Sequence, residues 1–272
     1  MEKLGEIVWQ SHVPSKTLPP YQFTECYWIG NEREVILIDT GDGHVAAQST
    51  LEGDWEGLGA PRVQAIYVTH YHGDHSGGGV WASERWQAPL YIGAHDLGYL
   101  DEKTRASWQI IPRSYVDIVG IRVDVVPAPG HTCGQVNFWI PTERILLAGD
   151  NVLGNTTSVI VPPDGNMAKY LTTLQILRQL GAEIIGPGHG EVVRNPDQYL
   201  AYYQTHRQQR NDQILALLDQ GVTDPRSIAE QIYGDVLAPR EMELGEWMVR
   251  GHLAWCVDIG LAIDDGGRFR KV

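Results

Sequence analysis

The segment Thr69-His70-Tyr71-His72-Gly73-Asp74-His75-Ser76-Gly77-Gly78 constrains this chain more than any other. It sets three histidines and one aspartate close together at the end of the β-branched run Val63–Thr69. No structural need explains that density. Imidazole and carboxylate are the donors that divalent metals take, and Gly73 with Gly77 to Gly79 lets the backbone turn so that alternate side chains point inward. His70 and His72, two apart, can share one ion, and Asp74 and His75 can turn to another.

Three further loops have the same form, each behind an apolar run: Pro129-Gly130-His131-Thr132, Leu147-Ala148-Gly149-Asp150 and Gly186-Pro187-Gly188-His189-Gly190. A single Gly-His loop reads as a surface turn, whereas three of them with the clustered motif read as one site. Asp39, at the end of Val35–Ile38, has two open readings: an outer partner orienting His70 or its loop, or a turn former before Thr40-Gly41. Thr69 is the other candidate outer partner. His12, His44, His95, His206 and His252 have no ligand-like context, although His95 follows a strand.

Short β-branched runs at Val35–Asp39, Val63–Thr69, Tyr91-Ile92, Ile121–Val126, Val136–Ile140, Ile145–Ala148 and Glu183–Ile185 predict a sheet-rich α/β core. Met167, Tyr170, Leu171, Leu174, Leu177 and Leu180 lie at helical spacing, with Asn166 to cap the start and Gly181 to close the end. From Asn195 the pattern changes. Asn195-Pro196 opens a helix towards Leu218, Asp224-Pro225 opens a second, and a third spans roughly Glu241 to Leu261. Ile263–Phe269 reads as a hairpin. The expected division is a catalytic domain over residues 1–200 and a small helical, winged-helix-like domain over 201–272.

The net charge of −13 repels phosphate backbones, so nucleic acid is disfavoured as a partner, and a small-molecule substrate is favoured. No apolar run is long enough to span a bilayer. The first residues show no export signal, and three well-separated cysteines fit a reducing compartment, so the expected location is cytoplasmic. Cys133 reads as a small packed side chain rather than a ligand. An oligomer stays open.

The clustered motif, the two later Gly-His loops and Asp150 resemble the metallo-β-lactamase superfamily over about Thr24 to Gly190. The resemblance implies an αββα sandwich with the site at one edge of its two sheets. It implies that His70, His72 and His131 bind one ion, that Asp74, His75 and His189 bind the other, and that Asp150 bridges both. The Asp74-His75 pair with His189 resembles the glyoxalase II and nuclease-like branches. The C-terminal helices and hairpin look like those of lactamase-like hydrolases with a winged-helix domain, some of which cut single-stranded RNA. Here Glu191–Val272 holds nine Lys or Arg against thirteen Asp or Glu, an acidic balance unlike a nucleic-acid reader.

The expected activity is that of a hydrolase with two divalent ions, zinc first, with iron or manganese as alternatives. Two such ions about 3.5–4 Å apart lower the pKa of a shared water and provide hydroxide near neutral pH. The target is an ester, thioester, lactone, amide or phosphodiester, with Asp74 as the catalytic residue that orients the nucleophile or moves its proton. The alternatives on the same fold are a single-strand RNA endonuclease and an iron-dependent redox enzyme.

Overall fold

Val35, Ile36, Leu37 and Ile38 are each at most 1% exposed, so the strand that carries them needs cover on both faces. The computed structural model, which describes residues 1–272, provides it. This strand is the fourth of a seven-stranded sheet ordered β1 (Glu2–Lys3), β2 (Val8–Pro14), β3 (Phe23–Gly30), β4 (Glu34–Ile38), β5 (Arg62–Tyr67), β6 (Leu90–Ile92) and β7 (Trp108–Ile110). The first four strands pair antiparallel and the rest parallel. A second sheet holds β8 (Tyr115–Ile118), β9 (Ile121–Pro127), β10 (Val136–Ile140), β11 (Ile145–Gly149) and β12 (Ile184–Pro187), in the order β12-β11-β10-β9-β8.

Side-chain alternation assigns each strand residue to a layer. Ile36 and Ile38 join Ile145, Leu147 and Phe138 between the two sheets. Val35 and Leu37 face outward, onto Ala47 and Leu51 of α1 (Val45–Gly57) and Ala82 of the short helix Gly79–Trp86. Leu146 and Ala148 face the opposite outer side, against Met167, Tyr170, Leu174 and Leu177 of the helix Met167–Gln179. Helix, sheet, sheet and helix thus stack in the expected sandwich, with three apolar layers between them. Asn166 caps that last helix by accepting from the Lys169 N–H at 2.9 Å, and Gly181 follows its end with φ +66°.

Beyond the sandwich lie three more helices. With α2 as Gly73–Ser76, α3 as Gly79–Trp86 and α4 as Met167–Gln179, they are α5 (Pro196–Asp219), α6 (Pro225–Tyr233) and α7 (Met242–Asp258), and the hairpin β13 (Ala262–Asp264) and β14 (Phe269–Lys271) follows. They enclose a separate apolar cluster that includes Ile214, Leu218, Ile228, Val249, Leu253 and Phe269. Residue 200, where the division was expected, lies inside α5. Its first half, with Leu200 and Tyr203, packs on the sandwich, and its second half, with Ile214 and Leu218, packs in the C-terminal cluster. No helix is long and apolar enough to cross a membrane.

Several elements escaped the sequence reading, three of them for identifiable reasons. In β2 and β3 the apolar pattern is interrupted by polar residues that are buried in pairs: Gln10 donates to Glu25 at 2.7 Å, and Trp28 Nε1 donates to Ser11 Oγ at 3.0 Å. Helix α1 buries only Ala47 and Leu51 and has no side-chain cap, so it carries neither a strong stripe nor a start signal.

Candidate metal centre

Each residue of the expected site is delivered by the end of a strand. Thr69 and His70 follow β5, and His72 precedes the single turn α2, which turns Asp74 and His75 to the other side of the centre. His131 follows β9, Asp150 follows β11, and His189 follows β12. His70, His72, His131 and Asp150 form one group, and Asp74, His75 and His189 another. Within each, the ligand atoms lie inside 4.8 Å of one another. All seven residues therefore converge, as two adjoining sets.

Asp150 connects them. Its Oδ2 is 3.6 Å from His131 Nε2, while its Oδ1 is 3.2 Å from His75 Nε2 and 3.4 Å from His189 Nε2. Asp74 Oδ2 is 3.3 Å from His189 Nε2. Two glycines permit these approaches. A Cβ on Gly188 would overlap Asp150 Oδ1, and one on Gly130, at φ +145°, would overlap the backbone of Tyr170 in α4.

The outer ring nitrogens fix the protons. His131 Nδ1 donates to the Val159 carbonyl and His189 Nδ1 to the Phe23 carbonyl, both at 2.7 Å, and a carbonyl can only accept. His75 Nδ1 donates to Asp39 Oδ2 at 2.8 Å. Thr69 Oγ1 donates to the same Asp39 oxygen at 2.9 Å and takes the His70 Nδ1 proton at 3.0 Å. Four imidazoles therefore turn Nε2 inward, and His72 contributes its Nδ1, 3.0 Å from the Nε2 atoms of both His70 and His131. Inward nitrogens so close to one another, beside the buried carboxylate of Asp150, fit divalent cations as to both charge and donor type.

The electrostatics agree. Burial holds the His70 pKa well below its usual value, and burial with His131 nearby lowers His72 to about 4, so both stay neutral. Burial also opposes charge on His75 and His189, but Asp150 outweighs it, with help from Asp39 at His75 and Asp74 at His189. The pKa of His75 rises well above normal and that of His189 rises to about 10. These are protons that a bound cation displaces.

Asp39 thus touches both Thr69 and His75, and its φ of +62° also makes the turn before Thr40, so both readings of it describe the same residue. Sequence reasoning missed Asp96. Fully buried, it accepts from the Tyr71 N–H at 3.0 Å, Thr132 Oγ1 at 2.9 Å and the Gly134 N–H at 2.6 Å, tying the His72 loop to the His131 loop. Burial raises its pKa to about 6 despite these donors. It stands beside the exposed His95, and one acid in a short loop gives no sequence signal. Cys133 lies away from the centre, its Sγ 3.8 Å from the His95 carbonyl.

The centre opens into a cleft of about 1570 Å³, above the usual 300–1,000 Å³ of small-ligand pockets. Leu153, Thr156, Thr157 and Val159 line it from the border segment that follows Asp150, as does Tyr71, while Trp81 and Trp108 pack in the outer core. The opposite wall comes from α5 to α7, including His206, which the sequence had left without a role. Tyr199 and Tyr203 on α5 brace the border segment, donating to the Leu153 carbonyl at 2.7 and 2.9 Å.

Residues 21–189 match the model of the metallo-beta-lactamase superfamily. The lactamase-like protein vrtG of Penicillium aethiopicum is 32% identical over 237 residues, covering 81% of this chain and 71% of that protein. The atrochrysone carboxyl ACP thioesterase of Aspergillus chevalieri is 29% identical over 206 residues, 72% of this chain and 61% of its own length. A metallo-beta-lactamase family protein from Thermus thermophilus superposes with a TM-score of 0.82 at 22% identity, covering 99% of this chain and all of that one, so the C-terminal helices belong to the shared fold. With these likenesses set beside the convergent His/Asp geometry, the chain belongs to the metallo-beta-lactamase superfamily.

Proposed function

We propose that this protein is a dinuclear metal-dependent hydrolase of acyl esters or thioesters. The observation that carries the reading is the division of Asp150, one oxygen towards His131 and the other towards His75 and His189, as a carboxylate shared between two ions would be. In this reading His70, His72 and His131 hold one ion, Asp74, His75 and His189 the other, and Asp150 both. Asp39 and Thr69 fix the imidazoles from outside. The all-nitrogen-and-oxygen donor set suits zinc, and the ions supply Lewis acidity that activates water near neutral pH and polarises a carbonyl.

The chain's own residues perform the rest. Asp74, half-buried at the mouth of the centre, orients the attacking water and accepts its proton at the carboxylate. The water oxygen bonds to the acyl carbon, the carbon–sulfur or carbon–oxygen bond breaks, and the departing thiolate or alkoxide takes that proton. The apolar walls, among them Leu18, Val159 and Leu244, exclude bulk water from the acyl group. The thioesterases among the relatives favour acyl transfer to water over phosphodiester cleavage, as does the net charge of −13. Residues 201–272 serve in this proposal as a helical, winged-helix-like domain that completes the cleft, in a cytoplasmic protein.

The test pairs elemental mass spectrometry on the purified protein with hydrolysis of a thioester, an aryl ester, a lactone, a β-lactam, an aryl phosphodiester and single-stranded RNA. Near two zinc per chain with thioester or ester turnover is expected. Iron with oxygen uptake, or turnover of the phosphodiester alone, would overturn the proposal.

A further inference from the structure

The wall of the cleft supplied by α5 holds positive charge that nothing in the protein neutralises. Arg207 is 2% exposed, and its polar neighbours are the Ser158 carbonyl, to which Nη2 donates, and the face of Tyr170, 5.4 Å from the guanidinium carbon. Its Nε has no hydrogen-bond partner. Arg210, one turn further on the same helix face, donates from Nη1 to the neutral Gln213 at 2.8 Å and lies 4.6 Å from the ring of Tyr233, and its Nε is also buried without a partner. Neither arginine forms an ion pair with any carboxylate, although the chain carries 34 acidic residues against 21 Lys and Arg.

Two like charges three residues apart on one helix repel, and a buried cation without a counter-charge is costly. The imidazoles beside them do not compensate. Burial, Arg207 and Arg210 hold His206 down at about 4, and they keep the fully buried His252, whose two ring nitrogens are both unpartnered, neutral as well. Arg207 and Arg210 line the same cleft as His72, Asp74 and His131, whose volume leaves room for a substrate well beyond its reacting bond.

We infer that Arg207 and Arg210 form an anion subsite that binds a phosphate or carboxylate on the non-reacting part of the substrate. Resting on the hydrolase reading above, the inference narrows the substrate to an ester or thioester with an anionic arm, its scissile carbonyl at the His/Asp centre and its charge on α5. A planar guanidinium pair suits either oxyanion. The two sources of that charge are a phosphate on the thiol side and a carboxylate on the acyl side.

The test measures binding without hydrolysis, so it stands or falls separately from the reaction. Titration calorimetry on the metal-loaded protein compares S-methyl phosphopantetheine with uncharged S-methyl pantetheine, and 4-oxohexanoate with 3-hexanone, ketones that hydrolysis cannot cleave. One charged probe is expected to bind about tenfold or more tighter than its neutral partner, as charge-assisted hydrogen bonds do. That ratio is expected to collapse towards one in Arg210→Gln and to recover in part in Arg210→Lys; Arg207→Gln, checked for folding by circular dichroism, gives the second reading. The phosphate pair responding assigns the thiol side, and the oxohexanoate pair responding assigns the acyl side. Equal affinities within both pairs, or a preference that survives in Arg210→Gln, overturns the subsite.

Discussion

The two sides of the cleft treat their polar atoms in opposite ways. At the His/Asp centre the outer nitrogens of four imidazoles are anchored on a carbonyl, Asp39 or Thr69, so the inner nitrogens gather in two adjoining sets. On α5 and α7 the Arg207 and Arg210 Nε atoms, His206 Nδ1 and both His252 nitrogens have no partner. The contrast teaches that one wall holds its polar atoms in fixed directions while the other leaves charge uncommitted.

Asp150→Ala gives the sharpest break. Removing the carboxylate between the two groups is expected to drop metal content from two ions to one or none and to abolish detectable turnover, measured by elemental mass spectrometry and a thioester assay. Retention of both ions would end its bridging role. Leu253→Ala probes the other side. Leu253 is fully buried in the C-terminal cluster, so its truncation is expected to cost about 2–5 kcal/mol in chemical denaturation. Metal content at saturation is expected to stay near two. Joint loss of metal would show that the two regions form a single unit.

Asp39→Ala is expected to weaken metal binding about 10–100-fold, the usual cost of losing an outer partner of a ligating histidine, read by chelator competition. The smallest effect concerns His206. Between its ordinary pKa of 6.5 and its folded value of about 4, the unfolded chain takes up a proton that the folded chain refuses. Stability present above pH 6.5 therefore declines as pH falls through that window. His206→Gln is expected to flatten part of the decline in Tm between pH 6.5 and 4; an unchanged profile would mean the imidazole is not held neutral by Arg207 and Arg210.

Legibility followed the same contrast. The ligand residues could be read because strand-end loops concentrate them in short local patterns: three histidines and an aspartate at 70–75, then Gly130-His131, Gly149-Asp150 and Gly188-His189. The strands that deliver them, β5, β9, β11 and β12, are short, mostly apolar and equally plain. What stayed hidden depends on pairing between distant residues. Asp96 acts on loops 25 and 36 residues away, and Glu25 drew no reading because Gln10 and His12, its partners, lie on the neighbouring strand. The far wall was invisible for a similar reason. His206, Arg207 and Arg210 sit among polar neighbours on α5 like any solvated face, and only the packing of α6 and α7 encloses them.

Helix α5 is one unbroken rod of 24 residues, about 36 Å long, that begins against one apolar cluster and ends inside another. A beam fixed at both ends cannot pivot at its middle, which is where His206, Arg207 and Arg210 sit. The same beam begins after the last donor, His189, so none of the seven donors lies on it. Inheritance can thus alter the middle of the beam while the donors themselves are passed on intact.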